Sequence, residues 1–124
     1  MIEVVAALIW VDELFMICQR SEQKARPLLW EFPGGKVDPG ERIEDALIRE
    51  CKEELDITVA VGSLFGDVVH TYADITIHLS VMNAVILEGV PRLVEHNDLR
   101  WIRIEDRKLY TFCPADDVIA RQLI

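Results

Sequence analysis

The chain has 124 residues, of which 51% are hydrophobic and 28% charged, and its formal net charge is −9. That size and composition suit one globular domain with its own core. The negative balance excludes the electrostatic footprint of a nucleic-acid polymer binder, and no apolar run is long enough to span a bilayer.

In chain order, residues 2–11 (IEVVAALIWV) predict a strand that is apolar on both faces. Asp12-Glu13 predicts a turn and residues 14–18 a second strand, so residues 2–20 read as a hairpin. The opening apolar run has no basic flank and acid follows at once, so no signal peptide is expected. Residues 21–26 predict an exposed loop. Residues 28–32 predict a short strand running into Pro33-Gly34-Gly35, where the chain must turn closely past something. A D-P-G-E turn then leads into a helix over about residues 41–55. Residues 59–64, 67–72 and 74–87 predict strands, with a turn at 72–74 and a break at 87–91. Residues 99–104, which include Trp101, predict another strand. Pro114 opens a last helix that runs to the end, with Asp116 and Asp117 in its first turn. Many strands and two helices predict an α+β fold, with a mixed sheet layered between helices in a single domain, 1–124.

Cys18, Cys51 and Cys113 have no metal-type spacing and imply no disulfide framework, so a reducing compartment such as the cytoplasm is expected. His70, His78 and His96 are dispersed and none is assigned to chemistry.

The helix carries the chemistry. At about 100° per residue, Glu53 and Glu54 fall within about 60° of Glu50, so three carboxylates share one face. Ile43, Ala46, Leu47 and Cys51 project on much the same side, whereas Asp45, Arg49 and Lys52 point away. A solvated charged face should oppose the apolar stripe, and this one continues it. Like charges at i,i+3 and i,i+4 repel, and burial raises the cost. Arg49 reaches Glu53 at i+4, but one arginine cannot balance three carboxylates. Carboxylate oxygens suit a hard divalent cation, Mg²⁺ or Mn²⁺. The glycines just before the helix permit a backbone carbonyl to approach a metal and backbone amides to approach phosphate.

Read as G-x5-E-x7-R-E-U-x-E-E-x-G-U, with U apolar, the chain has Gly35, Glu41, Arg49, Glu50, Cys51, Glu53, Glu54 and Ile57 in register. This resembles the Nudix box of the Nudix hydrolases, which cleave nucleoside diphosphates linked to another moiety. Asp56 departs from the pattern by standing where Gly is usual. A helix commonly ends there on a left-handed residue, which Asp tolerates better than most. The resemblance implies an α/β/α sandwich, metal on Glu50, Glu53, Glu54 and a carbonyl of Gly34-Gly35, an orienting role for Arg49 and a supporting one for Glu41. Glu50 would act as, or position, the general base.

The segment from Trp30 to Val37 (WEFPGGKV), the opening IEVVAA and the ending Pro114-Ala115-Asp116 are similar to the MutT-type branch of nucleoside triphosphate pyrophosphohydrolases. That likeness implies a metal-directed Glu95, six residues before Trp101, with an ordinary loop glutamate as the alternative. It also implies nucleotide contacts from Arg20, Glu31, Phe32, Pro33 and Asp116. Phe32 serves equally well as core, and Asp116 as a helix-start residue. A carboxylate at position 116 accepts from amino or imino donors when ionised and donates to a carbonyl when protonated. An oxidised dGTP is the first substrate choice. The same opening and ending also resemble CTP pyrophosphohydrolases, which makes a cytidine triphosphate the second. A nucleotide sensor without turnover is a third, weakened by the presence of all three glutamates. The expected partner is a small-molecule nucleotide, with no nucleic-acid polymer and no membrane, and the chain is expected to be a monomer or weak dimer.

Overall fold

The computed structural model describes residues 1–124. Seven strands form one mixed sheet system: β1 (Ile2–Val11), β2 (Leu14–Gln19), β3 (Trp30–Glu31), β4 (Gly34–Lys36), β5 (Thr58–Thr71), β6 (Thr76–Glu88) and β7 (Asp98–Ile102). Two helices, α1 (Ile43–Leu55) and α2 (Pro114–Ala120), complete it.

β1 is the organising strand. It runs parallel to β6 from Ile2↔Ile77 to Ile9↔Ala84, takes β4 antiparallel at Val4–Ala6, and meets β2 only at its far end, Trp10↔Phe15. Its alternation explains why both faces are apolar. Val5, Ala7 and Ile9 pack with Ala46, Leu47, Cys51 and Leu55 of α1, while Ala6 and Leu8 pack with Ala115, Ile119 and Ala120 of α2. One strand therefore serves two cores. The layering is the expected α/β/α arrangement, and the three cysteines are all free and buried as packing groups.

The helix start is favoured by Glu44 and Asp45 in the first turn, and its end falls on Asp56, left-handed at φ 55° and ψ 40°. Several expected boundaries shift. The helix begins at Ile43 rather than near 41, because residues 38–41 close a turn in which the Asp38 N–H donates to Glu41 Oε1 at 3.0 Å. The strand expected over 28–32 shrinks to Trp30–Glu31, since Arg26 and Leu28 adopt positive φ and pull the chain out of extension. The strands expected over 59–64 and 67–72 form one bulged strand. The strand expected to reach 104 stops at Ile102, and Ile104–Leu109 form a 3₁₀ helix instead. The last helix stops at Ala120.

On the sheet, His78 bridges two carboxylates, with Nδ1 2.7 Å from Glu3 and Nε2 2.7 Å from Asp67. Hydrogen bonds to Asp67 and Glu3 raise its pKa above 6.5. A raised histidine stabilises the fold fully below its unfolded pKa, and that contribution is lost as pH rises through the folded value. Thermal scans from about pH 6 to pH 8 should therefore show a loss of stability that His78→Gln flattens. Parallel profiles for the two proteins would assign the bridge no energetic role.

Candidate functional site

A cleft of about 540 Å³ opens where α1, β4, the 21–28 loop, the β5–β6 turn and the start of α2 meet. Gly34, Gly35, Glu50, Glu53, Glu54 and Glu95 line its acidic part, and Phe32, Tyr72, Leu79, Cys113 and Asp116 line another. Arg20 and Glu31 also form part of the wall.

The two glycines act differently. A Cβ on Gly34 would lie 2.0 Å from the Val5 carbonyl oxygen, so this glycine permits β4 to pack on β1. A Cβ on Gly35 would lie 2.4 Å from the Glu50 carboxyl carbon, so here the missing side chain is the space the carboxylate occupies.

The three glutamates share the cleft but not one environment. Glu54 is buried at 4% exposure, and its Oε1 has no hydrogen-bond partner. Burial, reinforced by the charges of Glu31, Glu50 and Glu95, pushes its pKa up to about 9. Glu50 is partly buried, and burial raises its pKa despite the neighbouring Arg49. Glu53 is the solvent-side member, with 57% of its side chain exposed. The helical wheel therefore placed the face correctly but overstated the burial of Glu53.

Arg49 also departs from expectation. Rather than pointing away, its guanidinium folds over the cluster, 2.9 Å from Glu41, 2.9 Å from Glu50 and 3.4 Å from Glu53, and it donates to the Lys36 carbonyl at 3.1 Å. These partners raise its pKa, led by the hydrogen bond to Glu41. Glu41 lies outside the cleft lining and acts by holding Arg49. No three acidic, imidazole or thiol side chains are grouped closely enough to form a finished metal cage. Arg49 instead donates to both Glu50 and Glu53. The donor set still fits a hard divalent cation: three carboxylates, one with a stranded buried oxygen, beside a backbone kept bare at Gly35. Glu95 lines the same region and pairs with Lys24 at 3.4 Å.

Elsewhere in the cleft, the Phe32 N–H donates to Asp116 Oδ2 at 3.0 Å. Burial, then the charge of Glu31, pushes the Asp116 pKa up to about 8. Phe32 is 2% exposed and its ring packs between Phe15 and Phe112, so a free stacking role is replaced by a core role with a backbone contact. Pro33 is fully buried and does not line the cleft; its carbonyl accepts the Ala7 N–H at 2.8 Å. Arg20 Nη1 donates to Glu31 Oε1 at 2.8 Å.

Sequence reasoning missed several groups. Tyr72 lines the cleft, accepts the Ala115 N–H at 3.0 Å, and carries the Arg26 guanidinium 4.0 Å from its ring centroid. Lys24 and Lys36 bring the positive charge an anionic ligand needs. His96 is buried against Glu31. Only the Arg and Lys content of the loop hinted at any of these.

A family model described as NUDIX domain matches residues 2–123. The chain is 39% identical over 116 residues to a CTP pyrophosphohydrolase of Escherichia coli K12, covering 94% of this chain and 86% of that one. It is 33% identical over 93 residues to an 8-oxo-dGTP diphosphatase of the same organism, covering 75% and 72%. The crystal structure of a MutT protein from Methanosarcina mazei Go1 superposes with a TM-score of 0.88 at 26% identity, covering 98% of this chain and 91% of that one. No helix is long and apolar enough to cross a membrane.

Proposed function

This chain belongs to the NUDIX domain family of hydrolases, and on that premise we propose that it hydrolyses a nucleoside triphosphate to the monophosphate and pyrophosphate, with Mg²⁺ as the working ion. The observation that carries this reading is Glu54. A buried carboxylate with an unpartnered oxygen, on the wall of a cleft beside Glu50 and Gly35, is unfavourable unless a cation joins it. Nudix hydrolases generally use divalent ions, and Mn²⁺ would substitute for Mg²⁺ at an all-oxygen site.

A divalent ion held by Glu50, Glu53, Glu54 and a backbone carbonyl of Gly34 or Gly35 would neutralise charge on the phosphates and lower the pKa of water. The rest is done by the chain. Burial raises the pKa of Glu50 from its ordinary value, which suits a group that accepts a proton from water. Arg49, anchored by Glu41, fixes the direction of Glu50. Lys24, Lys36 and Arg20 draw an anionic chain into a protein of net charge −9. Glu95 extends the acidic rim. Phe32 through its backbone, Glu31, Asp116 and the residues around Tyr72 receive the nucleoside.

Asp116 sets base choice. Its Oδ2 accepts the Phe32 N–H, and the residue lines the cleft. A pKa of about 8 leaves it protonated near neutrality, so it donates to a carbonyl such as that of an oxidised purine. The likeness to the CTP pyrophosphohydrolase favours a cytidine triphosphate as the second reading. Asp116→Ala, which offers neither a donor nor an acceptor, should shift the ratio of kcat/KM for 8-oxo-dGTP over CTP by about tenfold, with kcat on the better substrate nearly kept. In the wild type that ratio should change as pH rises through about 8, and in the variant it should not. A constant ratio in both proteins would reduce Asp116 to a helix-start residue.

A further inference from the structure

His96 lies just outside the cleft lining, and its side chain is 4% exposed. Its Nε2 is 3.0 Å from Glu31 Oε2, while its Nδ1 is buried with no partner. Burial pushes Glu31 upward, but the hydrogen bond from His96 and the charge of Arg20 outweigh it and keep Glu31 ionised. An ionised carboxylate only accepts, so Nε2 carries the proton. The other Glu31 oxygen takes Arg20 Nη1 at 2.8 Å, and Arg20 Nε donates to the Ala25 carbonyl at 2.7 Å. Arg20 Nη2 makes no hydrogen bond within the chain.

An apolar side chain of similar size would fill the His96 site without stranding a nitrogen, so packing does not explain an imidazole there. We propose that His96 is a positioning residue: it holds one oxygen of Glu31 so that the other engages Arg20 singly, leaving Arg20 Nη2 for the nucleotide. Without His96, Glu31 is free to turn both oxygens onto the guanidinium in the fork geometry that arginine and carboxylate favour. That bidentate pair would take one of the two Nη2 N–H groups and tie the guanidinium to Glu31 rather than to the ligand. The defect is then one of binding, not of chemistry. The proposal rests on the nucleotide reading above.

The test measures the affinity of the full chain for CMP and dGMP without metal, together with kcat and KM for the corresponding triphosphates with Mg²⁺. His96→Leu should weaken monophosphate binding and raise KM by about tenfold, the loss of one charge-assisted hydrogen bond, with kcat nearly unchanged. His96→Gln, whose amide can donate to Glu31, should recover most of the affinity. In a Glu31→Gln background, His96→Leu should have no further effect. Wild-type affinity and KM in His96→Leu, with only a lower thermal midpoint, would overturn the positioning role, as would a fall in kcat with affinity kept. If His96→Leu does not fold, His96→Asn, too short to reach Glu31, takes its place under the same criteria. A wild type that neither binds nor hydrolyses any nucleotide refutes the nucleotide reading itself, whereas an active wild type with an unaffected variant refutes only the role of His96.

Discussion

Glu53→Gln should lower turnover by about 10²–10³-fold and leave the thermal midpoint where it was. The two halves of this result come from the same geometry. The Glu53 side chain is 57% exposed and pairs only with Arg49, at 3.4 Å, so folding draws little from it. It nevertheless lines the cleft with Glu50 and Glu54. Glutamine keeps its shape and removes one of the charges that hold the cation. Losing one anionic ligand forfeits about 3–4 kcal/mol of charge stabilisation in the transition state, which sets the magnitude. Pyrophosphate release at saturating Mg²⁺, beside a thermal scan, checks both halves. Wild-type turnover in this variant would remove Glu53 from the site, and a collapsed midpoint would make its role structural.

Glu54→Gln should have the opposite character: it should stabilise the metal-free protein and abolish its response to metal. The Glu54 pKa stands at about 9, against an ordinary 4.5. A raised carboxylate favours the fold most at low pH, where both states are protonated. Above pH 4.5 the unfolded chain releases its proton and the folded one does not, so stability falls until about pH 9. At neutral pH the accumulated cost is roughly 3 kcal/mol. Glutamine carries no charge and escapes it. Thermal midpoints in EDTA should therefore decline with rising pH in the wild type more steeply than in Glu54→Gln, and the variant should be the more stable above neutrality. Mn²⁺ should raise the wild-type midpoint and leave the variant unmoved. A variant less stable than the wild type in EDTA at pH 8 would contradict the unpaired burial of Glu54.

Much of this was legible in the residues themselves. The apolar stripe of α1 and the two-faced β1 follow from periodicity, because each must bury what it displays. The carboxylate face followed from spacing, and the left-handed end of the helix from the glycine usual at position 56 in the resembling pattern, which Asp56 replaces without changing the conformation. What a helical wheel cannot give is the path of a long side chain. Arg49 leaves the helix on the side expected, then bends back over the carboxylates, because its stem is flexible and their charge attracts it. The short β3 was hidden because Arg26 and Leu28 take positive φ without glycine to announce it. The 3₁₀ helix after β7 is too short to leave a period. His96 was invisible for a different reason: its partner Glu31 is 65 positions away, and only the pairing of β2 with β3 and β7 brings them together.

On the proposed function, α1 presents its carboxylates to a metal-bound polyphosphate that is split between the α and β phosphorus atoms. Product analysis of 8-oxo-dGTP and CTP, incubated with the protein over a Mg²⁺ titration, tests it most directly. Monophosphate and pyrophosphate should form in equal amounts, in proportion to bound Mg²⁺, and not at all with EDTA. Turnover that persists in EDTA, or release of diphosphate and inorganic phosphate instead, would contradict it.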